Sequence, residues 1–186
     1  MTYSVFKRPS GLALNPYIET VYKQHFLGLV SGKFTLEALP ILFDKKLLDC
    51  SAYNPQGCNN RDYNCSNCFF KAKEDIFNHI CTKEQTKTIR TPGLFDLLRT
   101  ERICWIAKIL STYQKDSGIK YFTIPEKTNR QAHYLWLEAE NYLVIVKQNK
   151  QCCFFATAYH VDFASEQRRL ASKFARYKKS AGKPTP

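Results

Sequence analysis

The spacing of hydrophobic residues changes along the chain, from a helical period before Ile119 to a strand period after it. The first segment with helical spacing is 15–32, in which Asn15 suits the N-cap and Pro16 suits the first helical position. Gly32 can end this helix, because glycine adopts the conformations that close a helix at little cost. The pattern therefore predicts a helical N-terminal region.

Three more segments ahead of the change have helical spacing. They are 35–50, 71–85 and 91–114. In the first of them Thr35 suits a helix cap, and Pro40 limits the regularity because proline has no N–H to donate. The third is interrupted near Thr100 and Glu101, which predicts one or two helices there.

Four runs rich in aromatic and β-branched residues follow, and they predict β-strands. The runs are 119–126, 132–139, 142–148 and 152–161. Short connections between the last three predict an antiparallel meander. We therefore expect an α+β protein, with a helical region at 1–89 and a small antiparallel sheet domain flanked by helices at 90–186.

The last segment, 164–186, predicts a basic amphipathic helix. Its apolar stripe contains Leu170, Phe174 and Tyr177. A stripe of cations lies beside it: Arg169, Lys173 and Arg176. In the whole chain 28 Lys and Arg residues outnumber 16 Asp and Glu residues, for a net charge of +12. That charge favours a polyanionic partner, with nucleic acid first and an anionic membrane surface second, although a basic protein can also be merely soluble.

The cysteines are concentrated in one polar segment, residues 50–68. Four of the eight lie there: Cys50, Cys58, Cys65 and Cys68. The chain has no apolar run of membrane-spanning length and no signal-peptide pattern at its start, so we expect a cytoplasmic protein with no membrane partner. In a reducing compartment cysteines favour metal binding over disulfides.

These four thiols predict one structural zinc ion that ties down a long polar loop. Cys65 and Cys68 form a C-x-x-C pair, the usual half of such a site. Unrelated free thiols and an iron–sulfur cluster are alternatives, and His79 or Cys81 can replace one ligand. Four thiolates leave no open coordination position for a substrate, so we expect no catalytic metal.

Polar side chains gather at the end of the last predicted strand. Because side chains alternate along a strand, Thr157 and Tyr159 share one face and His160 points to the other. In the same way Tyr134 and Trp136 share a face opposite His133. Such a face can serve as a platform for an RNA strand, but a sheet with one solvent-exposed face explains the same residues.

RNA cleavage by the 2′-hydroxyl needs proton transfer and charge stabilisation at the phosphate, and it needs no metal. His133 suits proton transfer because histidine titrates near neutral pH. Thr157 and Tyr159 can donate hydrogen bonds to phosphate oxygens. Four cations can hold the phosphate: Arg99, Arg102, Lys120 and Arg130.

Three fragments resemble the phage-type nucleases grouped with barnase, EndoU, the ribonuclease colicins and RelE. They are "RTERICWI" at 99–106, "RQAHYLW" at 130–136 and "FFATAYHVD" at 154–162. The resemblance covers about half the chain and implies a nuclease-like domain at 90–186. The cysteine-rich segment departs from that group. Four residues match as catalytic candidates: Arg102, His133, Thr157 and Tyr159.

The sequence therefore favours a metal-independent endoribonuclease, phage-associated or toxin-like, that acts on RNA. Its expected RNA-binding residues are Arg99, Lys120, Arg130, Tyr134, Trp136, Arg169, Lys173 and Arg176, and Lys178 and Lys179 are expected to add nonspecific RNA affinity. The alternative is a non-enzymatic, zinc-containing nucleic-acid-binding or regulatory protein. A third reading is an inhibitor or immunity factor, for which charge complementarity decides the partner. A protein inhibitor of the nuclease is also left open as a partner.

Overall fold

A computed structural model describes residues 2–48, 72–83, 94–126 and 130–181. These residues form an α+β fold, as the hydrophobic pattern predicted. The chain divides into two compact units. The helical unit contains residues 2–32 and 43–107, and the sheet unit contains residues 33–42 and 108–186.

Two sequence-based predictions lie outside the described residues. The boundary between residues 89 and 90 is one, and the metal-binding segment 50–68 with its four cysteines is the other. Both stay predictions. No helix in the described part of the chain is long and apolar enough to cross a membrane.

The helical unit is built from short helices and one small pair of strands. Its elements are α1 (Leu14–Val21), a π-helical turn (Tyr22–Phe26), α2 (Leu27–Ser31), α3 (Asp75–Cys81), β3 (Thr82–Lys83), β4 (Leu94–Phe95), α4 (Leu97–Thr100) and the first half of α5 (Ile103–Thr112). Tyr22 and Phe26 pack their rings against Phe77 of α3, with centroids 5.1 and 4.9 Å away. Buried aromatic contacts of this kind hold the N-terminal helices against α3.

The predicted first helix is confirmed, with a shifted start. Its N-cap is Ala13, so Asn15 lies inside the helix and does not cap it. Gly32 is the C-cap, as predicted. The predicted break between α4 and α5 is also present, and the Asp96 carboxylate caps α4 by accepting a hydrogen bond from the N–H of Arg99 at 3.1 Å.

The sheet unit contains a six-stranded mixed sheet. Its strands are β1 (Thr35–Leu36), β2 (Leu39–Leu42), β5 (Ile119–Glu126), β6 (Arg130–Leu137), β7 (Tyr142–Gln148) and β8 (Cys153–His160). The strand order is β1-β2-β8-β7-β6-β5. A 3-10 turn (Glu138–Glu140) joins β6 to β7, and α6 (Ala164–Ala181) follows β8. All four strands predicted after Ile119 are confirmed, and so are the meander and the terminal helix.

The helix predicted at 35–50 is wrong, because this segment begins with the β1–β2 hairpin. Glu37 and Ala38 form its turn with φ of 49° and 67°, a conformation that reverses the chain. Pro40 lies in β2 opposite Thr35 of the two-residue strand β1, ahead of the residues that pair with β8. Ile41 pairs with Cys153 of β8 in parallel orientation, so the sheet is mixed and not purely antiparallel as predicted. Pairing with a strand more than 100 residues later outweighed the local helical spacing.

The middle of the sheet is buried on both faces. On one face, α6 packs over a core formed by Phe122, Trp136, Leu143, Val161 and Leu170. On the other face, Leu135, Val144 and Val146 are inaccessible to solvent. This explains why β6 and β7 have nearly continuous hydrophobic runs, which strands buried on both sides require.

Candidate nucleic-acid interface

Four predicted site residues lie together on one face of the sheet. They are Tyr134, Trp136, Thr157 and Tyr159, and strand alternation predicted the shared face of each pair, Tyr134 with Trp136 and Thr157 with Tyr159. β7 lies between β6 and β8, and its Leu143 pairs with both Trp136 and Tyr159. The next residue of β7 on that face pairs with both Tyr134 and Thr157. The sheet register therefore brings these residues side by side.

Helix α6 covers this face. Trp136 is only 2% exposed, so its ring is unavailable for stacking on a base. The Tyr159 hydroxyl donates a hydrogen bond to Glu166 of α6 at 2.9 Å. Burial, followed by the Glu166 carboxylate, raises the pKa of Tyr159 well above its usual value. The hydroxyl therefore stays protonated at neutral pH and serves as a donor within the fold.

Lysine side chains lie over the aromatic rings along the edges of α6. The Lys173 ammonium lies 5.2 Å from the Tyr134 ring centroid, and that of Lys120 lies 5.1 Å from the Trp136 centroid. Lys120 also forms an ion pair with Glu138. Burial, with a smaller contribution from Arg169, lowers the pKa of Lys173. These cation–π contacts keep the lysine stems packed while the charges remain at the surface.

The outer side of α6 carries the largest share of its charge. The exposed cations on this helix are Arg168, Arg169, Arg176, Lys178 and Lys179. With Lys173 they make six cations against one carboxylate, Glu166, within Ala164–Ala181. Arg169 is 3.3 Å from Glu166 and remains largely exposed. Of these cations, Arg168 is not among the predicted RNA-binding residues, although helical spacing from Arg176 indicates the same exposed side.

His133 lies on the opposite face of the sheet, as the strand alternation predicted, and is fully buried. Its Nδ1 is 2.8 Å from the Tyr121 hydroxyl, and its Nε2 is 2.6 Å from Oε1 of Gln148. The Tyr121 hydroxyl also donates to the Glu37 carboxylate at 2.5 Å. Both ring nitrogens of His133 are thus occupied by partners within the fold. Its catalytic role stays a prediction.

The two remaining arginines belong to the helical unit. The Arg102 guanidinium donates to the carbonyl of Leu98 at 2.8 Å and lies 5.1 Å from the Trp105 ring centroid. Arg99 donates to the carbonyl of Thr82 at 2.7 Å and has an ion pair with Asp96. Both guanidinium groups therefore stabilise their own unit. The four predicted catalytic residues are divided between the units, and the part that Arg102 plays stays a prediction.

Arg130 differs from these arginines because it is exposed at the first position of β6, opposite Glu126 of β5. It can reach solvent and a phosphate without losing a buried contact. Among the predicted RNA-binding cations, this places Arg130 with the exposed arginines of α6 rather than with Arg99.

No group of three or more metal-binding side chains is present in residues 2–48, 72–83, 94–126 and 130–181. Cys81, a predicted replacement ligand, is fully buried, and burial raises the pKa of its thiol to about 12. The zinc site itself stays a prediction.

Comparisons with known proteins find no match to this chain among protein-family models, curated proteins or solved structures. The resemblance to the nuclease group therefore depends on the three short sequence fragments.

Proposed function

We propose that this protein binds RNA and that α6 supplies most of the phosphate contacts. The observation that carries the proposal is the concentration of six cations and one carboxylate on an 18-residue helix. Cations that neutralise phosphates release condensed counterions, and this release supplies much of the affinity for nucleic acids.

The distribution of apolar residues on α6 favours a nucleic acid over a membrane surface. An interfacial helix binds a bilayer by burying its apolar side among the lipids. The apolar side of α6 is already used, since Leu170 is buried and Phe174 and Tyr177 pack on the sheet core. The exposed side offers Arg168, Arg176 and small residues, which suit phosphate groups and have no apolar surface to insert.

Packing of the lysine stems also supports binding. Lys120 lies over Trp136 and Phe174, at 5.1 and 5.3 Å from their ring centroids. Lys178 lies 5.0 Å from the same Phe174 ring. Side chains that are held before binding lose less conformational entropy when a phosphate arrives.

The test measures the affinity of a single-stranded RNA by fluorescence anisotropy over a range of salt concentrations. A triple variant with Arg168→Ala, Arg169→Ala and Arg176→Ala should bind roughly 10- to 100-fold more weakly. Its log–log salt slope should be lower by roughly two units, because each phosphate contact with single-stranded RNA contributes about 0.7. Unchanged affinity and slope in this variant would exclude α6 as the interface.

The matched control removes the same charge from the helical unit. Lys7, Lys45 and Lys46 are exposed, and their triple replacement by Ala lowers the net charge by the same amount. This control should retain affinity within about threefold and keep its salt slope. Equal losses in the two triple variants would mean that net charge attracts RNA and that α6 is not a defined site. A double-stranded DNA of equal length tests whether the helix distinguishes single-stranded RNA from a duplex.

RNA cleavage without a metal is a second candidate function. It is supported by the nuclease-like fragments and by the register that sets Thr157 and Tyr159 side by side beneath a cationic helix. Purified protein incubated with RNA in EDTA should then yield discrete fragments. Thr157→Ala and Tyr159→Phe should each slow the cleavage by about 10²–10³, the loss typical of removing a group that stabilises developing charge. RNA that is bound but stays intact would contradict the cleavage function and leave RNA binding as the only proposed function.

A further inference from the structure

The sheet unit contains a cavity beside the β1–β2 hairpin. Its volume is about 290 Å³, near the lower end of the range for small-molecule sites. The hairpin side contributes Lys33, Thr35 and Glu37, and the C-terminal end of α5 with the turn after it contributes Tyr113 and Gln114. All of these residues belong to the same unit. The cavity can hold one small polar molecule.

The Glu37 carboxylate is held in place by a chain of hydrogen bonds that runs into the sheet. The Tyr121 hydroxyl donates to it at 2.5 Å, and the same hydroxyl is 2.8 Å from Nδ1 of His133. The other ring nitrogen of His133 is 2.6 Å from the Gln148 side-chain oxygen. Because His133 is fully buried, its position is set by packing, and the chain passes this rigidity on to Glu37. A carboxylate oriented in this way is pre-organised to accept hydrogen bonds from a ligand.

The turn that carries Glu37 has an uncommon backbone conformation. Glu37 and Ala38 both have positive φ without being glycine. Side chains rarely adopt this region, and such positions gather at ligand-binding sites, where the surrounding structure maintains them. Here the hydroxyl of Tyr113 accepts a hydrogen bond from the Glu37 N–H at 3.3 Å. Two tyrosines thus hold the turn, one through the backbone and one through the side chain.

The cavity offers both charges and a hydroxyl donor. Lys33 is exposed and supplies a cation, and Glu37 supplies an anion. The Tyr113 oxygen accepts hydrogen bonds from the Glu37 N–H and from Nε2 of Gln114 at 3.1 Å, so its own hydrogen is directed to another acceptor. The matching ligand combines N–H donors, an anionic group and a flat ring that packs against an aromatic side chain.

We propose that this cavity binds one ribonucleotide. The base donates N–H groups to the Glu37 carboxylate and packs against the Tyr113 ring, and the phosphate is paired with Lys33. Bases are read in this way in single-stranded RNA, through hydrogen bonds to their edges and stacking on aromatic rings. The inference rests on the proposed function in one respect, namely that bound RNA is the source of the nucleotide. Tyr121 then acts as a positioning residue for Glu37.

The test titrates the protein with each of the four ribonucleoside 5′-monophosphates by isothermal titration calorimetry. At least one nucleotide should bind. The substitutions Glu37→Gln and Lys33→Met should each lower the affinity for that nucleotide by about tenfold. Two controls remove equal charges elsewhere in the same unit. Glu140→Gln and Lys150→Met are at exposed positions outside the cavity and should bind within about twofold of the parent. Absence of binding by all four nucleotides, or equal losses in cavity and control variants, would overturn the proposal.

The positioning role of Tyr121 is tested by a double-mutant cycle with Glu37. In the parent protein, Tyr121→Phe should lower the affinity for the nucleotide by about threefold to tenfold. The same substitution should have almost no effect on the affinity when Glu37 is already Gln. A general structural loss would weaken binding equally in both backgrounds and would contradict the role. Should Tyr121→Phe fail to fold, Glu37→Gln on the exposed turn still decides whether the cavity binds a nucleotide.

The outcomes separate this proposal from RNA binding by α6. Cavity variants should leave the salt slope of RNA binding unchanged, because they remove no helix cation. The α6 triple variant should leave mononucleotide binding unchanged within about twofold. A single-stranded RNA should displace the bound mononucleotide, and a nucleotide that RNA fails to displace would overturn the link to RNA. Failure of the α6 test alone leaves the calorimetric result intact, and the reverse also holds.

Discussion

Two tyrosine–glutamate pairs lie on opposite faces of the same sheet. Tyr159 donates to Glu166 at 2.9 Å, and the two residues are seven positions apart. Tyr121 donates to Glu37 at 2.5 Å, and these residues are 84 positions apart. The first pair joins a strand to the helix that follows it, whereas the second joins the β1–β2 hairpin to β5, the strand at the far edge of the sheet. The comparison separates sites made by local sequence from sites made by topology.

The two pairs also differ in what depends on them. Glu166 and Tyr159 fasten α6, whose cationic side is exposed and is screened by salt. Glu37 and Tyr121 continue to His133, which is fully buried and cannot exchange its partners for water. Solvent can partly replace the hydrogen bond to either glutamate, but loss of the Tyr121 hydroxyl also leaves Nδ1 of buried His133 without its partner. The second pair is therefore the more costly one to disturb.

The largest expected effect concerns the zinc site predicted in residues 50–68. The cysteine spacing that predicts this site is a local sequence pattern, like the spacing of apolar residues that predicts α6. Protein purified from a reducing cytosol should contain one zinc ion per chain by elemental analysis, bound by Cys50, Cys58, Cys65 and Cys68. Removal of that ion with a chelator should lower the melting temperature strongly, because structural zinc sites contribute on the order of 10 kcal/mol to folding. Protein without stoichiometric metal would show that the local signal is misleading here.

The next effect compares the two tyrosines directly. Tyr121→Phe should lower the free energy of unfolding by roughly 2–3 kcal/mol, because it removes a hydrogen bond to Glu37 and leaves Nδ1 of buried His133 without its partner. Tyr159→Phe should cost roughly 1 kcal/mol, because Glu166 keeps Arg169 nearby and has access to water. Urea unfolding measures both. Equal losses would mean that the two faces of the sheet are equally tolerant.

The smallest effect is the dependence of stability on alkaline pH. Burial first, and then the paired glutamate, raises the pKa of both tyrosines above the ordinary value of 10.0. A raised pKa means that the folded state holds the proton more tightly, so stability is constant below pH 10 and falls as pH rises through the folded pKa. Near pH 11 the raised pKa of each tyrosine should lower the free energy of unfolding by about 1 kcal/mol relative to its value below pH 10.

The alkaline loss should shrink when either tyrosine is replaced by Phe. Unfolding free energies measured between pH 8 and about 11 give this comparison. A parent protein whose stability is flat up to pH 11 would contradict buried, hydrogen-bonded hydroxyls at Tyr121 and Tyr159.

Much of the sheet unit followed from the sequence because its strands carry strong local signals. The bounds predicted for β5 and β7 are those observed, since alternating and continuous apolar runs there are ended by polar connections. The meander and α6 followed for the same reason, and so did the shared face of Thr157 and Tyr159. Strand alternation needs no knowledge of the rest of the fold.

The β1–β2 hairpin could not be predicted in this way. The apolar residues from Leu36 to Leu42 fit a helix as well as two short strands, and the turn has no glycine to mark it. Its strand pairing depends on β8, which arrives more than 100 residues later. Glu37 was for that reason missing from the candidate residues, although it lines the cavity.

The sequence by itself determined the α+β class, the four consecutive strands and a terminal helix with a cationic side. Each depends on the period of residues that are near neighbours in the chain, and so each is readable without coordinates. Only the tertiary structure decided that α6 covers Tyr134 and Trp136, that His133 is enclosed, and that Glu37 reaches Tyr121. Those facts depend on which surfaces exclude water together, and burial of that kind is a property of the whole packed unit, not of any one segment.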